Sequence, residues 1–442
     1  MLSMKEKIAY GLGDTASNII FQTVMMFLLI FYTDVVGIPP AVVGTLFLGV
    51  RLIDAITDPL MGSFADRTQT RWGQFRPFLL WFALPFGLIS ILTFITPDFS
   101  TSGKIIYASI TYILLMLTYT AINIPYSALG GVLTDDPQER VSIQSYRFVF
   151  GMLGGLIVAA CTMPLVAWFG NGDAAKGYQM TMTAMSILGV VLFLLCFAGT
   201  KERINQPRAK ESSYKDDLKL LWQNDQWRIL CLVGVFLLTG QVLRATLAVY
   251  YVKYYLSLEE HITAFMTIGM IGSVLGCALA QQLAKRVCKI KAYITLQLIA
   301  AILCIASFWI NAEQVALAFI VYFFWNFFLQ MATPLLWSKM VDTIDYGQWK
   351  TGVRLNGTIF SAIVFFIKLG VALGGAIAGW LLAYYGYQAE VTQSSETQQG
   401  ILISFTLFPA IGSLLVAWIM RWYILDDKTV KQIHAELNSV SA

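Results

Sequence analysis

Long uninterrupted apolar runs constrain this chain more than anything else in it: residues 105–117 and 187–198, for example, are almost free of charge. A helix needs roughly 20 such residues to cross the roughly 30 Å hydrocarbon core of a bilayer. Segments of that length fall near residues 17–36, 41–62, 77–96, 104–128, 144–169 and 179–199, and again near 229–254, 263–284, 292–311, 314–338, 355–385 and 400–423. Charged residues make up only 13% of the chain, against about 25% in soluble domains, which excludes a water-soluble globular fold. The expectation is an all-α membrane protein with twelve transmembrane helices in two six-helix halves. An N-terminal half spans 1–199, a polar linker 200–228, a C-terminal half 229–424 and a tail 425–442.

The basic residues act as topology marks. With the N-terminus inside, 23 Lys and Arg fall in cytoplasmic segments and three, Lys104, Lys176 and Lys253, in outer loops. That asymmetry places both termini in the cytoplasm. Residues 1–7 lack the apolar core and small-residue cleavage site of a signal peptide, so the first hydrophobic segment is expected to remain as a helix. A formal charge of +4, dispersed along the chain, offers nothing to nucleic acid. The six cysteines have neither C-x-x-C spacing nor histidine neighbours and read as small core residues, not as a disulfide framework or zinc site. The linker mixes both charge signs around Pro207 and is expected to carry an interfacial helix around 215–222. Six plus six spans joined by a long cytoplasmic linker is the plan of the major facilitator superfamily, although plan alone does not give function.

The second span reads VRLIDAITDP over 50–59, placing Asp54 and Asp58 at i and i+4 on one helix face. Each intramembrane carboxylate costs about 2.5 to 3.5 kcal/mol on insertion scales, so the pair calls for a cation, a proton or a basic partner. Pro59 frees a backbone carbonyl, and the Thr57 hydroxyl adds another hard oxygen. Such a set suits Na+, while two carboxylates sharing a proton suit H+. A salt bridge of Arg51 with Asp54 or Asp58 would account for the acids without any ion.

GSFADRTQTRWGQFR follows at 62–76, a G-x-x-x-D-R-x-x-x-R-x-G pattern whose glycines permit close helix packing and whose Asp66, Arg67 and Arg71 suit a cytoplasmic gate. Four basic residues, Arg51, Arg147, Arg244 and Lys368, fall within spans, against Asp54 and Asp58. If they face one cavity, the excess of positive charge favours an anionic sugar such as a hexuronide. Alternatively, Arg51 and Lys368 neutralise the acids while Arg147 or Arg244 snorkels to an interface. The aromatic run YFFWNFF at 322–328 and Trp337 could face a sugar or simply pack. His261 and His434 lie outside the spans, which argues against a histidine proton relay. No G-x-x-x-x-G-K-[ST] loop occurs, so an ATP-driven pump is not indicated.

Five stretches taken together, KEKIAYGLGD at 5–14, FYTD at 31–34, the Asp54/Asp58 helix, NIPY at 123–126 and DTIDYG at 342–347, carry a narrower resemblance over nearly the whole chain. They resemble the glycoside-pentoside-hexuronide:cation symporters, the family of the melibiose carriers within the major facilitator superfamily. The resemblance implies cation-coupled sugar transport, with the cation on the second and fourth helices and the sugar between the halves. It implies cation ligands at Asp54, Asp58, Thr120 and Asn123, to which the residue reading adds Thr57, sugar contacts at Asn18, Asn123, Arg147 and Lys368, to which Tyr119 and Trp337 are added as aromatic candidates, and a gating arginine at Arg354. Three positions depart: Asn123 replaces the fourth-helix acid, Asn18 the first-helix aspartate and Ser127 the fourth-helix tryptophan. An amide still binds hydroxyls as donor and acceptor. The acid-to-amide change at 123 weakens a Na+ site more than a proton site and favours H+.

The sequence therefore reads as a symporter of a glycoside, pentoside or hexuronide working by alternating access in a bacterial-type cytoplasmic (inner) membrane. It is expected to be monomeric, with no catalytic residues and no cofactor beyond the coupling ion, H+ or Na+, the latter held as a metal by Asp54 and Asp58. The rival within transport is an uncoupled or lipid-like-substrate carrier. A sensor would bring a signalling domain, and a membrane enzyme an acid/base set that Asp54 and Asp58 lack.

Overall fold

The computed structural model describes residues 2–134, 137–203, 220–352 and 356–441. Among them there is no strand, and twelve helices are long and apolar enough to cross a membrane. The chain divides into two compact units. One comprises Met1–Ala209 with the short segments Ile262–Ala264 and Gly386–Thr392, and the other comprises Lys210–His261, Phe265–Tyr385 and Gln393–Ala442.

The first unit contains α1 (Met4–Ile30), α2 (Pro40–Arg67), α3 (Arg76–Thr93), α4 (Thr101–Val132), α5 (Pro137–Gly170) and α6 (Ala174–Gly199). Capping side chains set several starts: Ser3, Ser100 and Asp173 each accept from the amide three residues on, at 3.3, 3.4 and 3.1 Å, satisfying donors that a helix leaves open. Within this unit α1 packs on α5 and α6, and α3 packs on α4 and α6. The first contact is intimate because α5 presents Gly154, where a Cβ would come within 2.9 Å of the Thr15 carbonyl oxygen. Small residues are what let helices approach in lipid, where apolar surface alone gives no drive to associate.

The second unit contains α7 (Asp225–Tyr250), α8 (Ile262–Arg286) from Phe265 onward, α9 (Lys289–Ser307), α10 (Val315–Thr351), α11 (Asn356–Tyr384), α12 (Ser395–Ile419) and a polar α13 (Asp427–Ser441). Its contacts repeat those of the first: α7 packs on α11 and α12, and α9 on α10 and α12. The first helix of each unit also ends in a π-helical turn, Phe31–Val35 after α1 and Tyr251–Tyr255 after α7. Such turns are uncommon, so their recurrence at matching positions marks an internal repeat.

Two helices extend beyond the spans read from hydropathy, and the tail forms a further helix. The first helix begins at Met4, not near 17, because the three turns of mixed polarity over residues 5–15 continue the backbone hydrogen bonding of the apolar part. The tenth runs to Thr351 and takes DTIDYG inside it. The tail is helical: Asp426 accepts from the Thr429 amide at 2.8 Å, and that bond holds its carboxyl below the usual range. Most of the expected interfacial helix at 215–222, and Arg354, lie outside the described residues. Residues 201–203 are fastened to the first unit. Glu202 accepts three amides, of Gln74, Phe75 and Arg76, at 2.7, 2.8 and 2.7 Å, while Arg203 grips Glu6.

Candidate functional site

Helix α2 is two-faced. Leu52, Ile56, Leu60 and Phe64, four residues apart, are exposed as a lipid-facing row, and Arg51, Asp54 and Asp58 lie on the other side. The two carboxylates have different partners. Asp54, only 1% exposed, pairs with Arg51 at 3.1 Å, so the ion-pair alternative holds for this residue. Arg51 is itself buried, with its guanidinium carbon 5.7 Å from the Phe21 ring centroid. Thr57 donates to the Asp54 backbone carbonyl at 3.4 Å. Asp58, half-buried, instead accepts the Thr120 hydroxyl of α4 at 2.9 Å. Carboxylate and hydroxyl thus meet across two helices, in the arrangement expected of a small-cation or proton site.

One turn along α4, Asn123 donates to the Tyr119 hydroxyl at 3.2 Å and accepts from Ser17 of α1 at 3.4 Å. Tyr119 stacks on Phe21 with ring centroids 5.4 Å apart. A second polar cluster joins α1, α4 and α5. Arg147 Nε lies 3.0 Å from Asp14 Oδ1 and Arg147 Nη2 donates to Ser127 at 3.0 Å, while Asn18 donates to the Asp14 backbone carbonyl at 2.9 Å and to its carboxylate at 3.3 Å. Gly151 leaves room for this carboxylate, since a Cβ there would sit 2.2 Å from Asp14 Oδ2.

Of the residues singled out in the sequence, the first unit thus assembles Asn18, Asp54, Thr57, Asp58, Tyr119, Thr120, Asn123 and Arg147 on α1, α2, α4 and α5. Lys368 and Trp337, both half-buried, belong to α11 and α10 of the other unit. Arg67 is exposed at the end of α2, and Arg71 lies over the Trp72 ring at 4.3 Å. The side chain of Asp66 lies outside the described residues, as does Arg354.

Asp14, which joins Arg147 and Asn18, was not singled out in the sequence. It stands four residues before Asn18, the spacing that drew attention to Asp54 and Asp58, but a span begun at residue 17 leaves it out. Including it halves the positive excess read from the sequence, since Arg147 carries its own acid. Arg244 does not snorkel. It is 1% exposed, bonded to Cys304 and Ser307, with the ring centroids of Trp325 and Phe405 at 4.6 and 4.4 Å. Tyr322 and Trp325 of the aromatic run on α10 therefore pack around a buried arginine, while Phe324 of the same run is exposed. Among the described residues no three acidic, histidine or cysteine side chains converge on one point. A metal cation would need hydroxyl and amide oxygens beside any carboxylate.

The family described as "MFS/sugar transport protein" matches residues 9–427. The chain is 44% identical over 439 residues to "Inner membrane symporter YicJ" of Escherichia coli (strain K12), covering 99% of this chain and 95% of that one. It is 42% identical over 437 residues to "Putative glycoside/cation symporter YagG" of the same organism, with coverage of 99% and 95%. Among solved structures, a D-xylose-proton symporter superposes with a TM-score of 0.68 at 15% identity, covering 95% of this chain and 97% of that one, a likeness of fold alone.

Proposed function

The chain belongs to the MFS/sugar transport protein family, and from that premise we propose that it carries a sugar or glycoside across the bacterial inner membrane together with a monovalent cation or proton, by alternating access. It is a transporter, not an enzyme. In this reading both termini are cytoplasmic, the working unit is a monomer, and the sugar is held by Asn18, Tyr119, Asn123, Arg147, Lys368 and Trp337. Asp66, Arg67, Arg71 and Arg354 serve the cytoplasmic gate.

The observation that carries the coupling is the hydrogen bond from Thr120 to Asp58. Asp58 is an intramembrane carboxylate that meets a hydroxyl from another helix, and carboxylate and hydroxyl oxygens are what a proton or a small cation binds. Binding of that ion alters the charge on α2 beside the polar residues of α1 and α4, which is how ion and sugar affinities become linked. The relatives' names, a symporter and a glycoside/cation symporter, point the same way.

The test is uptake into vesicles reconstituted with the purified chain, using a panel of monosaccharides and glycosides under imposed Na+ and pH gradients. Accumulation above the external concentration is the expected result. Equilibration without accumulation makes the protein an uncoupled carrier, and no sugar flux from folded protein removes the sugar assignment.

A further inference from the structure

The second unit carries a basic, aromatic patch at the membrane boundary, where α7 begins and α12 ends. The two helices pack antiparallel, and contacts along their length mark the register. An added Cβ on Gly240 would stand 3.2 Å from the Pro409 carbonyl oxygen and one on Gly412 would stand 3.0 Å from the Phe236 carbonyl oxygen, while the Ile424 amide donates to Gln226 Oε1 at 2.9 Å. That register puts Leu232 level with Trp418, and Arg228 level with Trp422. Arg228 and Leu232 lie one turn apart on α7, Trp418 and Trp422 lie one turn apart at the end of α12, and all four are exposed, as is Arg421. The two indole rings meet edge to face with centroids 4.5 Å apart, and the Arg228 guanidinium carbon lies 5.6 Å from the centroid of the exposed Trp222 ring.

Acids stand nearby in the chain but are engaged elsewhere. Asp225 pairs with Lys350, Asp426 caps the Thr429 amide, and Asp427 lies 3.7 Å from Lys289 and 3.8 Å from Lys339. Among the described residues no carboxylate pairs with Arg228 or Arg421. Tryptophan rings alone would anchor helix ends at the interface. Two arginines without acids add what a phosphate needs. We propose that this face is a binding site for an anionic phospholipid, with Arg228 and Arg421 on its headgroup phosphate and its acyl chains over Leu232 and Trp418. The latter two lie one turn deeper in their spans than Arg228 and Trp422, which is the order of headgroup and chain in a lipid. A zwitterionic headgroup already carries an ammonium for its phosphate and gains less from either guanidinium. The lipid bridges the first and last spans of the unit.

The test uses the purified full-length chain in nonionic detergent. The added lipids are dioleoyl phosphatidylglycerol, tetraoleoyl cardiolipin and dioleoyl phosphatidylcholine, with glycerol 1-phosphate as the free-phosphate control. Binding is read as the rise of the thermal transition with lipid concentration and, independently, as lipid retained in native mass spectrometry. At least one anionic lipid is expected to act at lower concentration than phosphatidylcholine, and glycerol 1-phosphate is expected to have no effect. The variant Arg228→Gln/Arg421→Gln should need about tenfold or more anionic lipid for the same rise, the order expected of two basic residues at a headgroup. Lys428→Gln/Lys431→Gln, which removes two exposed charges from the tail helix, should respond as the wild type does. Phosphatidylcholine as effective as the anionic lipids, protection by glycerol 1-phosphate, a response unmoved by the arginine changes, or an equal loss in the tail variant each overturns the proposal. If the double arginine variant does not fold, Arg228→Gln and Arg421→Gln made singly carry the same comparison.

Discussion

Two aspartates four residues apart on one helix have separate fates, and the difference is testable. Asp58 meets a hydroxyl at 2.9 Å, so Asp58→Asn should fold normally, bind sugar and fail to accumulate it against a gradient. Asp54→Asn should behave differently. It leaves Arg51, 6% exposed, as an uncompensated buried charge, a loss of about 3 to 5 kcal/mol for such pairs. The expected result is a fall in folded yield by size-exclusion chromatography that exceeds any change from Asp58→Asn. Equal yields with equal transport defects would make both acids cation ligands. Thr120→Val should weaken binding of the coupling ion about 10- to 100-fold, as loss of a partner to the binding carboxylate does, read by the pH and Na+ dependence of the thermal shift. Thr120 came only from the family resemblance, whereas Asp54 and Asp58 were legible in the sequence, because charge in an apolar helix stands out. Asp14 was not, because hydropathy marks where a helix becomes apolar and the backbone hydrogen bonding starts three turns earlier, at Met4.

At the scale of elements, the two glycines of the loop motif show what a pattern hides. Both read as spacers for close packing. Gly62 has room, with the nearest atom to an added Cβ, Ile124 Cγ2, at 4.0 Å. Gly73 has φ +112, and its Cβ would stand 2.5 Å from the Glu202 carboxyl carbon. Glu202 cannot swing aside without abandoning the three amides at the start of α3. Gly73→Ala should therefore lower the thermal transition of the purified protein, with backbone strain alone costing about 1 to 3 kcal/mol, while Gly62→Ala should melt near the wild type. Equal melting would mean the Glu202 cradle carries no weight. The cradle was invisible in the sequence because its halves stand 128 residues apart in the chain. The tail helix was missed for another reason: α13 is polar and carries no hydropathy signal. Asp426 and Glu436 are both held below the usual carboxyl range, by the Thr429 amide and by the side chains of Gln432 and Trp349. Depressed carboxyls stabilise above their unfolded pKa, and that contribution disappears as pH falls through the folded value. Acidification should lower the protection of α13 amides, measured against their intrinsic exchange rates, before that of the spans, and Asp426→Asn should blunt the effect. Uniform exchange across α12 and α13 at every pH would contradict it.

For the whole molecule, six-plus-six organisation was legible because apolar length is the property a bilayer measures, and the packing adds what hydropathy lacks: the same partner order and the same π-turn in each unit. The coupling ion was not legible, because it depends on where a few oxygens point. Asn123, which occupies the place of a family acid, bonds to Tyr119 and Ser17, so its amide is engaged with α1 and with its own helix. Asp54 is neutralised by Arg51. A Na+ ion would then have Asp58 as its principal charge, with the Thr120 and Thr57 hydroxyls beside it, and hydroxyls replace a hydration shell less well than carboxylates do. A proton needs only the carboxylate. H+ coupling is therefore the expected mode, and Asn123→Asp should add the charge that lets Na+ serve. The measurement is uptake into vesicles under separately imposed gradients. With an inward proton gradient at constant Na+ the wild type should concentrate sugar, and with an inward Na+ gradient at constant pH it should not, whereas Asn123→Asp should gain Na+-driven uptake. If Na+ drives the wild type and protons do not, then Thr57, Thr120 and Asn123 supply the missing oxygens, and the Asn123 amide must leave Tyr119 or Ser17 to do so.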